Sequence, residues 1–156
     1  MPRKIKNQII IVYLYKDIFE QLAFKRFFNV ETKDEKQFIY DLVFGFMPRK
    51  FEPTDEDKII YDEEDEVTEM YLIFEGQIEI AFSLISNGMR DKFAFGKRQP
   101  GKQIICDHYV VNNQKSQFIY MAVKEISSFA LSKTFVHNRI FPKYPVIYQK
   151  LQQDCL

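Results

Sequence analysis

The sequence predicts a mainly β fold with flanking helices: an antiparallel, jelly-roll-like β-roll of about eight strands. Three observations predict it. The run "QIEIAFSL" alternates with period two, so Ile78, Ile80, Phe82 and Leu84 face one way and Gln77, Glu79, Ala81 and Ser83 the other. Asn87-Gly88 follows, the dipeptide best suited to a tight hairpin because both turn residues must tolerate positive φ. At both ends of the chain the apolar period lengthens to that of a helix.

The elements follow in chain order. Leu14, Ile18, Phe19 and Leu22 recur at helical spacing, and Phe24, Phe27 and Phe28 add apolar surface on other faces. A helix apolar on much of its circumference is buried on more than one side. A second helix starts near Thr32 and Glu35, which have capping-box spacing, with Asp34 as an alternative cap. Its stripe is Phe38, Ile39, Leu42, Val43 and Phe46, and Pro48 ends it. "MYLIF" and "QIEIAFSL" read as two strands joined by a short turn at Glu75-Gly76. "KFAFGK" follows the Asn87-Gly88 hairpin, and "FIYMAV" and "SFALS" add two more strands. In the tail a short helix breaks at Phe141-Pro142. Pro145 suits a first helical position, and Tyr144, Ile147, Tyr148 and Leu151 form an amphipathic stripe behind it.

Composition narrows the function. The 156 residues suit about one domain, with 46% hydrophobic and 28% charged residues. Basic and acidic residues number 22 each, which argues against a nucleic-acid binder, since that needs a basic surplus. Cys106 and Cys155 are too few for a disulfide framework or a four-ligand zinc set, so a reduced, cytoplasmic setting is expected. The apolar stretch from Ile9 to Tyr15 stops at Lys16, short of the roughly 20 residues of a membrane span.

Chemistry-bearing patterns are few. The acidic stretch "YDEEDEVTE" fails as an EF-hand loop, because the sixth position from Asp62 is Val67 rather than glycine. Acids packed side by side repel one another and stay hydrated, so the stretch reads as a solvated turn. Cys106, Asp107 and His108 are adjacent, but neighbours on a strand point to opposite faces, and catalytic partners meet in space rather than in sequence. No catalytic residue and no metal site are expected. The remaining candidate is the connection from Pro100 to Gln117, with Gly101, Lys102 and Lys115, whose backbone amides could cradle an anion.

The order of elements resembles a known family. "PRKFEPTDEDKIIYDEEDEVTEMYLIFEGQIEI" is similar to the first half of a cyclic-nucleotide-binding domain. The matching residues are Pro48-Arg49, Phe51, Pro53, Ile59-Ile60, Asp65, Glu69-Met70-Tyr71, Gly76 and Glu79. The tail "FALSKTFVHNRIFPKYPVIYQKL" resembles the family's last strand, short helix, Phe-Pro step and closing helix. Within the family, "KDIFEQLAFKRFF", "DLVFGFMPRKF" and "NNQKSQFIYMAV" look like the cytoplasmic tails of voltage-gated or cyclic-nucleotide-gated cation channels, of protozoan type.

The resemblance implies a phosphate-binding cassette at Gly101, Ile105, Cys106, Asp107, Lys115, Ser116 and Gln117, and it implies that this cassette is degenerate. Cys106 stands where the family has glycine and Asp107 where it has the ribose-binding Glu. Ser116 stands where it has the phosphate-binding Arg, and Phe118 where it has Ala. The chain then divides into an N-terminal helical segment, 1–34, and a cyclic-nucleotide-binding-like β-roll with C-terminal helices, 35–156. The implied function is regulatory and non-enzymatic, without a cofactor. Binding of cAMP or cGMP is weak or lost, and the pocket is empty or filled by the domain's own side chains, for which Tyr144 and Tyr148 are the aromatic candidates. The implied partner is a membrane channel domain or another protein subunit, met through the N-terminal helix. Two alternatives stay open: a working cAMP/cGMP sensor of an ion channel, and a stand-alone docking subunit of a larger assembly.

Overall fold

The structure is a computed structural model and describes residues 33–54, 58–97 and 103–154. The helix expected over residues 14–28, the cap at Thr32, and Gly101 and Cys155 lie outside the described residues.

Helix α1, Lys33–Val43, opens the described chain and buries Phe38, Ile39 and Leu42, each worth about 1.5–3 kcal/mol on transfer from water. The helix stops at Val43, five residues before Pro48. The chain turns at Phe44-Gly45, where the Gly45 amide bonds the Leu42 carbonyl and the ring of Phe135 fills the space a side chain would need. Phe46 is therefore off the helix and stacks on Phe129. Pro48 lies inside a strand instead.

Among the described residues six strands form one sheet with the path β1-β6-β3-β4. They are β1 (Met47–Phe51), β2 (Ile59–Tyr61), β3 (Glu69–Ser86), β4 (Met89–Lys97), β5 (Gln103–Ile105) and β6 (Ile119–Ser132). All pairings are antiparallel. β1 and β2 both lie on β6, and β5 pairs with the start of β3.

Among the described residues four expected strands are two. "MYLIF" and "QIEIAFSL" are one strand, β3, without the expected turn at Glu75-Gly76. Gly76 has φ +113°, and the β3–β6 register slips between Ile73 and Ile78 before the ladder resumes. That is a run of bulges: the strand bends and continues. "FIYMAV" and "SFALS" are likewise halves of β6. The expected alternation holds at Ile78 but not at Ala81, which is buried with Ile119 and Met121 in a second small cluster. Asn87-Gly88 forms the expected hairpin, with φ of 52° and 76°.

Helix α3 (Lys133–Phe135) runs into a π-helical turn, Val136–Ile140, closed by the Phe141 amide on the Val136 carbonyl at 2.8 Å. Pro145 starts the closing helix α4, Pro145–Asp154, as the sequence predicts. Helix α2, Asp107–Asn112, sits between β5 and β6. Tyr144 meets Phe38 edge-on, and its hydroxyl donates to Asp41, which ties α4 back to α1.

Candidate functional site

Of the connection expected from Pro100 to Gln117, the described part begins at Gln103, so Pro100 and Lys102 lie outside it with Gly101. Strand β5 ends at Ile105, buried and paired with Tyr71. Cys106 then adopts φ 64°, ψ 12° at the N-cap position of α2. A Cβ in that left-handed conformation costs roughly 1–2 kcal/mol. Asp107 begins the helix and is buried, with His108 Nδ1 4.0 Å from its carboxylate. Asn113, at φ 53°, closes the helix with a second left-handed residue. Lys115 is exposed and Gln117 is exposed, while Ser116 between them is fully buried.

Ser116 is held from three directions. Its hydroxyl donates to the Phe118 carbonyl at 2.7 Å, its amide donates to the Asp65 carbonyl at 2.9 Å, and its carbonyl accepts from the Glu64 amide at 2.8 Å. Beside it the backbones of Lys115 and Glu66 form an isolated antiparallel β-bridge. The acidic turn thus zips onto the segment where a phosphate-binding cation is expected from the resemblance.

The acids of that turn are engaged one by one. Asp62 takes Arg90 at 2.7 Å, and that hydrogen bond holds its carboxyl below the ordinary range. Glu63 accepts from the hydroxyl and the amide of Ser83, the main cause of its lowered pKa, and also meets Arg90. Asp65 accepts from the Asp62 amide, and Glu66 pairs with Lys133 at 3.0 Å. Glu64 makes the turn itself at φ 65°. Among the described residues no cluster of His, Cys, Asp and Glu has the makings of a metal site.

The sequence did not single out Tyr109, yet it is the centre of this region. Its side chain is fully buried on α2. Its hydroxyl oxygen accepts from the Gln117 amide at 3.2 Å and from the Tyr120 hydroxyl at 3.4 Å, with the Tyr109 and Tyr120 rings edge to face. Of the aromatic candidates Tyr144 and Tyr148, Tyr144 bonds Asp41, and Tyr148 stacks on Phe141 with ring centroids 4.0 Å apart. A large aromatic in the middle of a short polar connection was the available signal for Tyr109. It passed unread because no period marks a helix of six residues.

The site is also coupled to the closing helices. His137 Nε2 lies 2.6 Å from the Val110 carbonyl on α2, and its ring meets Phe141 and Tyr148 edge-on. Lys133 Nζ bridges Glu66 and the Asn113 side chain, each at 3.0 Å. One cation and one imidazole therefore connect the acidic turn, α2 and the last helices.

Solved structures of similar shape share this arrangement of roll and helices. The C-linker/CNBHD of zELK channels, crystallised in the presence of cAMP, matches with a TM-score of 0.67 at 14% identity, over 99% of this chain and 69% of that one. The fold is that of cyclic-nucleotide-binding domains. The regulatory domain of Toxoplasma gondii PKA with cAMP matches at 0.63 and 12% identity, over 90% of this chain and 48% of that one. The Thermus thermophilus catabolite activator protein matches at 0.61 and 13% identity, over 82% and 55%. The chain thus spans about half the length of the last two. A cAMP-binding acyltransferase from Mycobacterium smegmatis also matches, at 0.53 and 15% identity over 87% and 37%, so the fold also occurs within an enzyme. No protein-family model and no curated protein matches the sequence. Among the described residues no helix is long and apolar enough to cross a membrane.

Proposed function

We propose that this chain is a non-enzymatic regulatory domain that uses the cyclic-nucleotide-binding fold to hold and pass on a conformational state, with binding of cAMP or cGMP weak or lost. The observation that carries the reading is Ser116. At the position that the resemblance gives to a phosphate-binding Arg, this chain has a buried neutral hydroxyl committed to the Phe118 carbonyl. A cyclic phosphate is an anion, and without a paired cation its burial is unfavourable. The amide of Gln117 is already committed to Tyr109.

State would pass from α2 through His137 to the closing helices, and from Tyr144 through Asp41 to α1. Residues 1–34, ahead of the roll, would carry the contact with a membrane channel domain or another protein subunit on the cytoplasmic side. The resemblance to channel tails supports that placement.

Calorimetry with cAMP and cGMP tests the binding part. The expected result is no heat below millimolar ligand in a sample shown to be folded. A micromolar dissociation constant for either nucleotide sinks the reading and favours a working sensor.

A further inference from the structure

We propose that the outer edge of β4 is an interface for a second copy of this chain, paired antiparallel about a two-fold axis at Phe93. The inference stands apart from the nucleotide site and from whatever that site binds.

Three features meet on the β3–β4 hairpin. Among the described strands β4 pairs only with β3, so its outer edge presents a row of backbone donors and acceptors. One face of the hairpin is apolar and open. Leu84 lies opposite Asp91, and Asp91 shares its face with Met89 and Phe93, so Leu84, Met89 and Phe93 point the same way. They are 53%, 68% and 45% exposed, although Phe93 stacks on Phe82 with ring centroids 5.6 Å apart. The opposite face is anchored. Arg90 bonds Asp62 at 2.7 Å and also meets Glu63, which accepts from the Ser83 amide. The hairpin is thus pinned to the acidic turn, and its edge is in place before a partner arrives.

The charge pattern selects the partner and the register. Ser86 and Met89 flank a two-residue turn, so they exchange backbone hydrogen bonds, and such pairs alternate along the hairpin. Met89, Asp91 and Phe93 therefore turn their peptide groups to β3, and Arg90, Lys92 and Ala94 turn theirs outward. A second β4 pairs outward residue with outward residue, so a two-fold axis has to pass through a residue. An axis at Asp91 opposes Asp91 to itself and Arg90 to Lys92. An axis at Arg90 or Lys92 opposes two like cations. Like charges directly opposite are destabilising. Beyond Ala94 the β3–β4 register shifts, so the regular edge ends there. An axis at Phe93 opposes no like charges: Phe93 meets Phe93, and each Lys92 exchanges backbone hydrogen bonds with Ala94 of the other copy. The Phe82–Phe93 row then continues across the axis into the second copy. Both outer edges are occupied, so assembly closes at a dimer instead of growing. One short ladder and a small apolar face make that dimer weak and concentration-dependent.

Sedimentation equilibrium of the full chain tests the proposal. A monomer–dimer equilibrium without larger species is expected. Phe93→Lys places like charges on the axis and removes the aromatic pair, and it is expected to weaken the dimer by about tenfold or more. Cross-linking on air oxidation, in a Cys155→Ser background, reads the register. Opposed residues that do not exchange hydrogen bonds have Cα atoms about 4.5 Å apart, within disulfide reach. The two copies of Asp91 would lie more than about 10 Å apart along the strands. Phe93→Cys is therefore expected to link the copies about tenfold faster than Asp91→Cys, or more. A monomer at every concentration reached, larger assemblies in place of a dimer, undiminished dimerisation of Phe93→Lys, or equal linking by the two cysteine variants each overturn the proposal. If Phe93→Lys does not fold, the cross-linking rates decide alone.

Discussion

Ser116 is fully buried and makes three hydrogen bonds, two of them to the acidic turn through its own backbone. Replacing it with Ala removes only the hydroxyl and leaves the Phe118 carbonyl short of a donor. A buried group left unsatisfied costs about 1–3 kcal/mol, so Ser116→Ala should lower the urea midpoint correspondingly with an unchanged m-value. An effect within about 0.3 kcal/mol would mean that water replaces the hydroxyl. At this scale the sequence was partly legible. Cys106, Asp107 and Ser116 stood out in the sequence only because the resemblance supplies an expected residue at each place. Tyr109 could not, since its role depends on an amide eight residues away and a hydroxyl eleven residues away. Nothing local encodes that meeting. Tyr71 is similar: burial first, and then the Tyr61 hydroxyl, push its pKa upward, and the pair is made by a sheet rather than by spacing.

Strand β3 bends at Gly76, and that bend is why the sequence suggested a turn there. A turn and a bulge make the same local demand for positive φ, so a single glycine does not tell them apart. The partner strand decides, and β6 pairs with β3 on both sides of the bend. Gly76→Ala tests this directly. A Cβ there would meet the Glu125 carbonyl and the Ile126 backbone, and φ of +113° disfavours any side chain. The expected loss is about 2–3 kcal/mol, read by thermal or urea unfolding. A free turn would tolerate the change. Helices α1 and α4 offer a second test. Burial works against the Asp41 carboxylate, but hydrogen bonds from Lys143, Tyr144 and Gln37 outweigh it and leave its pKa below the ordinary value. A carboxyl with a lowered folded-state pKa stabilises the fold above its unfolded pKa, and that stability is lost as pH falls through the folded value. Melting measured from pH 7 down to about pH 2.5 should show a decline below about pH 4 that is shallower in Asp41→Asn. An identical slope in the variant would remove Asp41 from the account. The central parts of both stripes, Phe38, Ile39 and Leu42 on α1 and Ile147, Tyr148 and Leu151 on α4, were readable in advance, because 3.6-residue periodicity needs no partner, whereas Phe46 and Tyr144 fall outside the helices. The tether between them was not, since Asp41 and Tyr144 are 103 residues apart.

Taken whole, the chain keeps the cyclic-nucleotide-binding fold at 12–15% identity to solved structures that it matches. The fold was legible because the marks that carry it are spacings: a Pro-Arg step, an acidic turn, Met-Tyr, a glycine and a Phe-Pro step. The site was less legible because its chemistry depends on single side chains inside that frame. The outer surface carries one feature that the frame does not explain. Leu84, Ile85, Met89 and Phe93 are exposed on the β3–β4 hairpin, with Ile85 80% accessible, and among the described strands β4 pairs only with β3. With a net charge of zero, little repulsion opposes self-association through such a patch. Ile85→Lys should lower concentration-dependent light scattering near pH 7 while moving the melting midpoint by no more than about 1–2 °C. Unchanged scattering would show that the hairpin is not the sticky surface. The long reach of β6 has a further consequence, for the making of the protein. Arg49 on β1 bonds Ser128 on β6, 79 residues later, and β2 and much of β3 also rest on β6. A chain emerging from the ribosome therefore completes α1, both short strands and the whole β3–β4 hairpin before their common partner exists. The apolar face of β3 must wait uncovered through that interval, so folding is gated by the arrival of residues 119–132 rather than by the elements made first.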